Sequence, residues 1–148
     1  MILSSASPVI RADPQQVFSF FAGMESNYLR WHPDHVSFRW LDKSALQPGV
    51  RFYFEERIGG KLLKKSVVFT LIEPGSRIEF APASRLFRLV LPRISFLISA
   101  ADGGIVVTQE IVLRIGPLAA WLNRRELDAV RTHMREEGEN LKRLLETE

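Results

Sequence analysis

The chain has 148 residues, 46% of them hydrophobic and 25% charged, with no cysteine and a formal net charge of +3. That length suits one domain that buries roughly 70% of its unfolded surface, and the composition excludes collagen-like, disordered and coiled-coil chains. Without cysteine there is no disulfide, no thiolate metal site and no cysteine nucleophile.

The opening Met1-Ile2-Leu3-Ser4-Ser5 has no basic region followed by a long apolar stretch, so no signal peptide is expected. No apolar run approaches the ~18 residues needed to cross a bilayer, and the expectation is a soluble, cytoplasmic chain with no membrane insertion. Arg51, Arg57, Lys61, Arg88 and Arg124 are scattered among apolar neighbours. Such spacing reads as solvated faces rather than a phosphate track, so no nucleic-acid partner is expected. Neither repeats nor a linker-like change of composition divide residues 1–148, which read as a single domain.

Ala6 to Arg11 reads as a first short strand. Asp13-Pro14-Gln15-Gln16 then has the chemistry of a helix start, with Asp13 as N-cap, proline at the first helical position and Gln16 reaching back as in a capping box. Val17, Phe18, Phe20 and Phe21 supply that helix's buried stripe, and Gly23 stops it. A second short helix is expected near Glu25 to Arg30, ending before Pro33.

From His35 onward the pattern becomes that of strands. Val36, Phe38 and Trp40 alternate with Ser37, Arg39 and Leu41. Val50 to Ile58 alternates again between Pro48-Gly49 and Gly59-Gly60. Further strands are predicted at Leu62 to Ile72, Arg77 to Phe80, Phe87 to Ser99 and Ile105 to Ile115. The final segment, Leu118 to about Glu146, reads as one long helix whose Leu127, Val130, Met134, Leu141 and Leu144 form an apolar stripe. The fold class is therefore α+β: a curved antiparallel sheet of about seven strands around a long C-terminal helix, with two short helices after the first strand.

Three histidines carry the most chemical information. His32 and His35 lie in Trp31-His32-Pro33-Asp34-His35, and His133 lies four residues before Glu137. Residues four apart on a helix share a face, about 6 Å apart at Cβ, so His133 and Glu137 can hold one ion. Both fall beside the apolar stripe and should look toward the sheet, whereas Glu136 should face solvent. In the strand from Val50, alternation puts Val50, Phe52, Phe54, Glu56 and Ile58 on the apolar face. Glu56 is then a carboxylate among apolar residues, which is costly unless it is paired or binds a cation; Lys65 and Arg88 are candidate partners. One or both of His32 and His35, with Glu56, His133 and Glu137, make a candidate set of nitrogen and oxygen ligands suited to a divalent metal, zinc first. Tyr28, Trp31, Trp40, Tyr53, Phe54 and Trp121 are candidate pocket aromatics, and Gln109 a candidate polar group in the pocket.

The element order, headed by Val9-Ile10-Arg11-Ala12-Asp13-Pro14-Gln15-Gln16-Val17-Phe18, resembles the START-like (SRPBCC) superfamily of helix-grip proteins related to birch-pollen allergen and polyketide cyclases. The resemblance covers almost the whole chain and implies a deep cavity for a hydrophobic small molecule. The Trp-His-Pro-x-His segment, a cavity glutamate and a helical His-x-x-x-Glu also resemble the zinc site of the diacetylphloroglucinol hydrolase family. That likeness implies His133 and Glu137 as the helical ligand pair, Glu56 as the strand ligand and His32 or His35 as the loop ligand. That family cleaves a carbon–carbon bond beside a phenolic ring ketone. The converging histidines accordingly lead to an expected hydrolysis or related lyase step on a ketone-bearing aromatic or polyketide-like compound, with a metal-activated water and His35 or Tyr28 assisting as a catalytic proton donor. The chain departs from that family in lacking its extra N-terminal region and any histidine between His35 and His133. The alternative is a non-catalytic carrier or sensor of an apolar ligand such as a lipid or flavonoid. For a third role, as a chaperone-interaction domain, the sequence shows no exposed apolar motif. Oligomeric state is open.

Overall fold

The computed structural model describes residues 1–147, leaving only Glu148 of the expected 1–148 unit outside it. Seven strands form one antiparallel sheet in the order β1-β7-β6-β5-β4-β3-β2. They are β1 (Ile2–Ala6), β2 (His35–Trp40), β3 (Arg51–Ile58), β4 (Lys61–Glu73), β5 (Arg77–Pro82), β6 (Arg93–Ala101) and β7 (Gly104–Val112). Two helices, α1 (Pro14–Ala22) and α2 (Met24–Trp31), separate β1 from β2, and the last helix, α5 (Arg124–Glu146), lies in the grip of the sheet.

The start of α1 follows the sequence rule. Asp13 accepts from the Gln16 N–H at 2.9 Å, and the Gln16 side chain accepts from the Asp13 N–H at 2.9 Å. Val17, Phe20 and Phe21 are buried beneath it. Phe21 meets Trp31 edge-on at 5.6 Å, tying α1 to the end of α2.

Three predicted elements differ. The first strand lies earlier than Ala6 to Arg11, at Ile2–Ala6, where it pairs with β7. Pro8 has no N–H for a ladder, and Ile10 makes only an isolated bridge to Ile105. The predicted strand from Phe87 begins instead as a short helix, α3 (Arg85–Arg88), because Ser84 caps it by accepting from the Phe87 N–H; β6 starts only after Pro92. The predicted single C-terminal helix is two, α4 (Pro117–Leu122) and α5, parted at Asn123, whose side-chain amide turns back to the Ala119 carbonyl at 2.8 Å. Asparagine competes with a helix in this way at its ends.

The interior is rich in aromatics. Phe52, Phe69 and Phe80 pack together on the concave face of the sheet, with Phe52 and Phe69 centroids 4.8 Å apart. Between this layer and α5 lies a cavity of roughly 170 Å³, walled almost wholly by apolar and aromatic side chains. Among the described residues no helix is long and apolar enough to cross a membrane.

Candidate metal centre

Four side chains from three elements meet in the cavity wall. His35 opens β2 and pairs directly across the ladder with Glu56 on β3. Simple alternation back from Phe38 would point His35 away from the cavity. The register slips between His35 and Ser37, so Val36 is an extra residue and His35 turns inward beside Glu56. Opposite them, His133 and Glu137 lie one helical turn apart on the inner face of α5. All four are buried, at 5% exposure for His35, His133 and Glu137 and 7% for Glu56.

The position of Glu137 is fixed from both sides. The Trp31 indole Nε1–H donates to the Glu137 carbonyl at 2.9 Å, and the Asn140 side chain donates to the Trp31 carbonyl at 2.9 Å. Next in the chain, Gly138 lets α5 press on the strand end: a Cβ there would sit 3.2 Å from the Ser7 Cα. The roles of Asn140 and Gly138 carry no local sequence signal, since each depends on a neighbour more than a hundred residues away in the chain.

His35 Nε2 lies 2.9 Å from Glu137 Oε2 and 3.3 Å from His133 Nε2. His133 Nε2 lies 3.3 Å from Glu56 Oε2 and 3.5 Å from Glu137 Oε2, and His35 Nε2 is 3.9 Å from Glu56 Oε2. These separations bracket the roughly 3.3 Å edge of a tetrahedron whose centre makes bonds of about 2.05 Å. The His35 tautomer bears on the same point. Its Nδ1 lies 2.7 Å from the Tyr28 carbonyl, which can only accept, so Nδ1 carries the hydrogen. With Nδ1 so committed, the 2.9 Å contact between Nε2 and Glu137 Oε2 needs a cation, whether a second proton on the ring or a metal. The cluster's donor set and spacing could hold a metal ion.

Electrostatics within the cluster are strong. Burial alone would lower the His133 imidazole, but its bonds to Glu137 and Glu56 outweigh that and hold it up at about 10. Burial alone would raise the Glu137 carboxyl, yet His133 and His35 hold it down at about 2. Glu56 behaves alike: burial opposes ionisation, while the His133 hydrogen bond and the Lys65 charge keep it below the usual carboxylate range. Lys65 Nζ is 3.4 Å from Glu56 Oε1. Arg88, the other candidate partner, instead donates to the Pro82 carbonyl.

The remaining predicted residues fall in different places. The Tyr28 hydroxyl donates to Glu56 Oε2 at 3.4 Å, and its ring stacks on His35 with centroids 3.9 Å apart. Burial, then the nearby carboxylates, push that hydroxyl's proton affinity far up, so it stays a donor. His32 stands beside the four-residue cluster, its ring 4.2 Å from that of His133. Both its nitrogens are engaged: Nδ1 accepts from the Asp34 N–H at 2.9 Å, and Nε2 lies 3.1 Å from Glu136. Glu136 is thus not a purely solvent residue, because the bend at Pro33 brings His32 across to it. Trp31, Trp40, Phe54 and Gln109 line the cavity, and among the described residues the Trp40 Nε1–H lacks a hydrogen-bond partner. Tyr53 faces the other side of the sheet and donates to Glu55, and Trp121 is exposed.

No family model matches the sequence, and no curated protein matches it. Solved structures do match along nearly its whole length. The KanY protein, determined by NMR, has 15% identity and a TM-score of 0.71, covering 99% of this chain and 97% of that one. Ara h 8.0201 has 16% identity and a TM-score of 0.55, covering 95% and 99%. The di-domain ARO/CYC BexL from the BE-7585A biosynthetic pathway has 13% identity and a TM-score of 0.67, covering 96% of this chain and 49% of that one. Identities this low speak for architecture alone. By its sheet order, its gripped helix and these neighbours, the chain has a helix-grip fold.

Proposed function

We propose that the protein binds a hydrophobic small molecule in its cavity and uses a divalent metal, zinc by preference, held by His35, Glu56, His133 and Glu137. The observation that carries this reading is the convergence of His35 Nε2, His133 Nε2, Glu56 Oε2 and Glu137 Oε2 in the wall of an otherwise apolar cavity. Two imidazoles and two carboxylates suit zinc, with iron or manganese as substitutes. When bound, such an ion would supply a Lewis acid for a ketone oxygen or a water of lowered pKa, which needs a coordination position beyond the four side chains.

The chain's own residues would do the rest. The aromatic wall of Trp40, Phe52, Phe54 and Phe69 orients a planar ligand and excludes bulk water. Tyr28 keeps its proton and offers an O–H at the edge of the cluster, where it can hydrogen-bond the charge that develops on a bound ketone or its ring. Of the two roles expected for His35, ligand and proton donor, ligation fits its geometry, since Nδ1 is committed to the Tyr28 carbonyl. The corresponding reaction class is hydrolysis, or a related lyase step, on a ketone-bearing aromatic or polyketide-like compound.

Elemental analysis of purified protein beside a His133→Ala/Glu137→Ala variant tests the metal. The expected result is about one ion per chain, lost in the variant. An acylated phenol should then be turned over by the metal-loaded protein. Tyr28→Phe should keep the ion but lower turnover on the order of a hundredfold. No ion in either protein, even after zinc is added, would overturn the metal reading.

One observation favours a second reading, an apolar-ligand carrier. Without metal the cluster is already internally compensated, with Lys65 and a protonated His133 against Glu56 and Glu137. A co-purifying organic ligand with no ion would identify that state.

A further inference from the structure

The residues that carry this inference lie outside the cavity. Leu86, Phe87 and Leu89, on and just after α3, and Leu118, Trp121 and Leu122 on α4 are 59–71% exposed. Isolated exposed leucines need no account, but apolar side chains gathered on two adjoining segments do. The segments adjoin where the Arg114 N–H donates to the Val90 carbonyl at 2.8 Å. From that junction Leu91 and Leu113 turn inward and line the cavity.

Along these segments the charge is arginine alone until Glu126, which pairs with Lys61 at 3.4 Å. Between Glu79 and Asp102, and again between Glu110 and Glu126, the sequence contains no acidic residue. Arg85, Arg114, Arg124 and Arg125 are exposed within those stretches, and the Arg124 guanidinium lies 4.6 Å over the Trp121 ring. Leucine, phenylalanine and tryptophan flanked by arginine is the composition of a surface that lies in a bilayer interface rich in anionic lipid. A second copy of the chain would instead set arginine against arginine across the contact.

We propose that the α3–α4 rim docks on anionic lipid surfaces, placing the cavity beside the phase in which an apolar ligand is most soluble. The contact is peripheral: the apolar side chains reach the headgroup boundary and no element spans it. This goes beyond the metal reading and is tested without metal or substrate, so either can fail alone.

The test is co-sedimentation of the full chain with phosphatidylcholine vesicles, alone and with ~30% phosphatidylglycerol, at ~50 mM salt. Binding is expected only to the anionic vesicles, falling at least about tenfold in ~0.5 M salt. Leu118→Ser/Trp121→Ser and Arg124→Glu/Arg125→Glu should each weaken it about tenfold, with circular dichroism unchanged. Vesicles should also shift the tryptophan emission to the blue, an effect absent in Trp121→Phe. No co-sedimentation, equal binding to neutral vesicles, or binding that survives both variants would overturn the proposal. So would self-association through the same leucines in a protein that ignores vesicles.

Discussion

The His/Glu cluster and the α3–α4 rim invert the usual arrangement in opposite senses. One puts carboxylates and imidazoles inside an aromatic core; the other puts leucines and a tryptophan outside it. The cluster is closed on itself, each member touching two or more others, with Tyr28, Lys65 and the Trp31 indole around it. The rim touches little but solvent. Buried polar groups are held by many mutual contacts, so loss of one is felt by all. The exposed apolar groups of the rim share few contacts, Arg124 over Trp121 among them, and their cost is borne in water.

The largest contrast should appear on substitution in metal-free protein. Removing one partner of a buried charge cluster strands the others, so Glu137→Ala should cost about 3–5 kcal/mol, read by urea denaturation with a chelator present. A cost below about 1 kcal/mol would show that the cluster is loosely solvated rather than closed.

Next in size is a dependence on pH. His133 is held up at about 10, so its contribution to stability is complete below the ordinary value of 6.5 and is lost as pH rises through 10. Glu137 is held at about 2, so its contribution is complete above the ordinary 4.5 and is lost as pH falls through 2. The metal-free protein should therefore be most stable between those two ordinary values. A metal must displace the His133 proton, so zinc affinity measured by competition should rise about tenfold per pH unit on the alkaline side of neutrality. An affinity flat with pH would place that proton elsewhere.

Smaller effects sharpen the same comparison. Tyr28→Phe removes one hydrogen bond to Glu56 and should cost about 1 kcal/mol of stability with the ion retained. At the rim, Leu86→Ser or Leu118→Ser should change thermal stability by no more than about 0.5 kcal/mol in either direction. A larger loss there would mean that these leucines pack against the domain and are not free for a partner.

How much of this the sequence disclosed depended on the range of the interaction. The α1 cap is written in four consecutive residues, and the inward face of β3 in a plain alternation, so both are legible. His133 and Glu137 follow from helical spacing in the same way. His35 was legible only as one of two candidates, because its direction depends on the slip at Val36, which no periodicity records. The rim was hidden by misassigned elements. Phe87 to Leu91 alternates as a strand would, and Trp121 reads as a pocket aromatic on one continuous helix, so the exposure of neither set shows in the sequence. Local capping by Ser84 and the break at Asn123 decided otherwise.

The two halves of the cluster have a mechanical meaning as well. His35 and Glu56 belong to the sheet and are near neighbours in the chain; His133 and Glu137 belong to the helix that the sheet grips. An ion shared among them would stitch helix to sheet and close the whole loop of chain from Glu56 to His133. By the chain-entropy argument used for disulfides, such a closure is worth roughly 4.5 kcal/mol. A protein without cysteine would thereby gain a removable cross-link, and taking the ion away would lower stability while α5 stays packed by Leu141, Leu144 and Leu145.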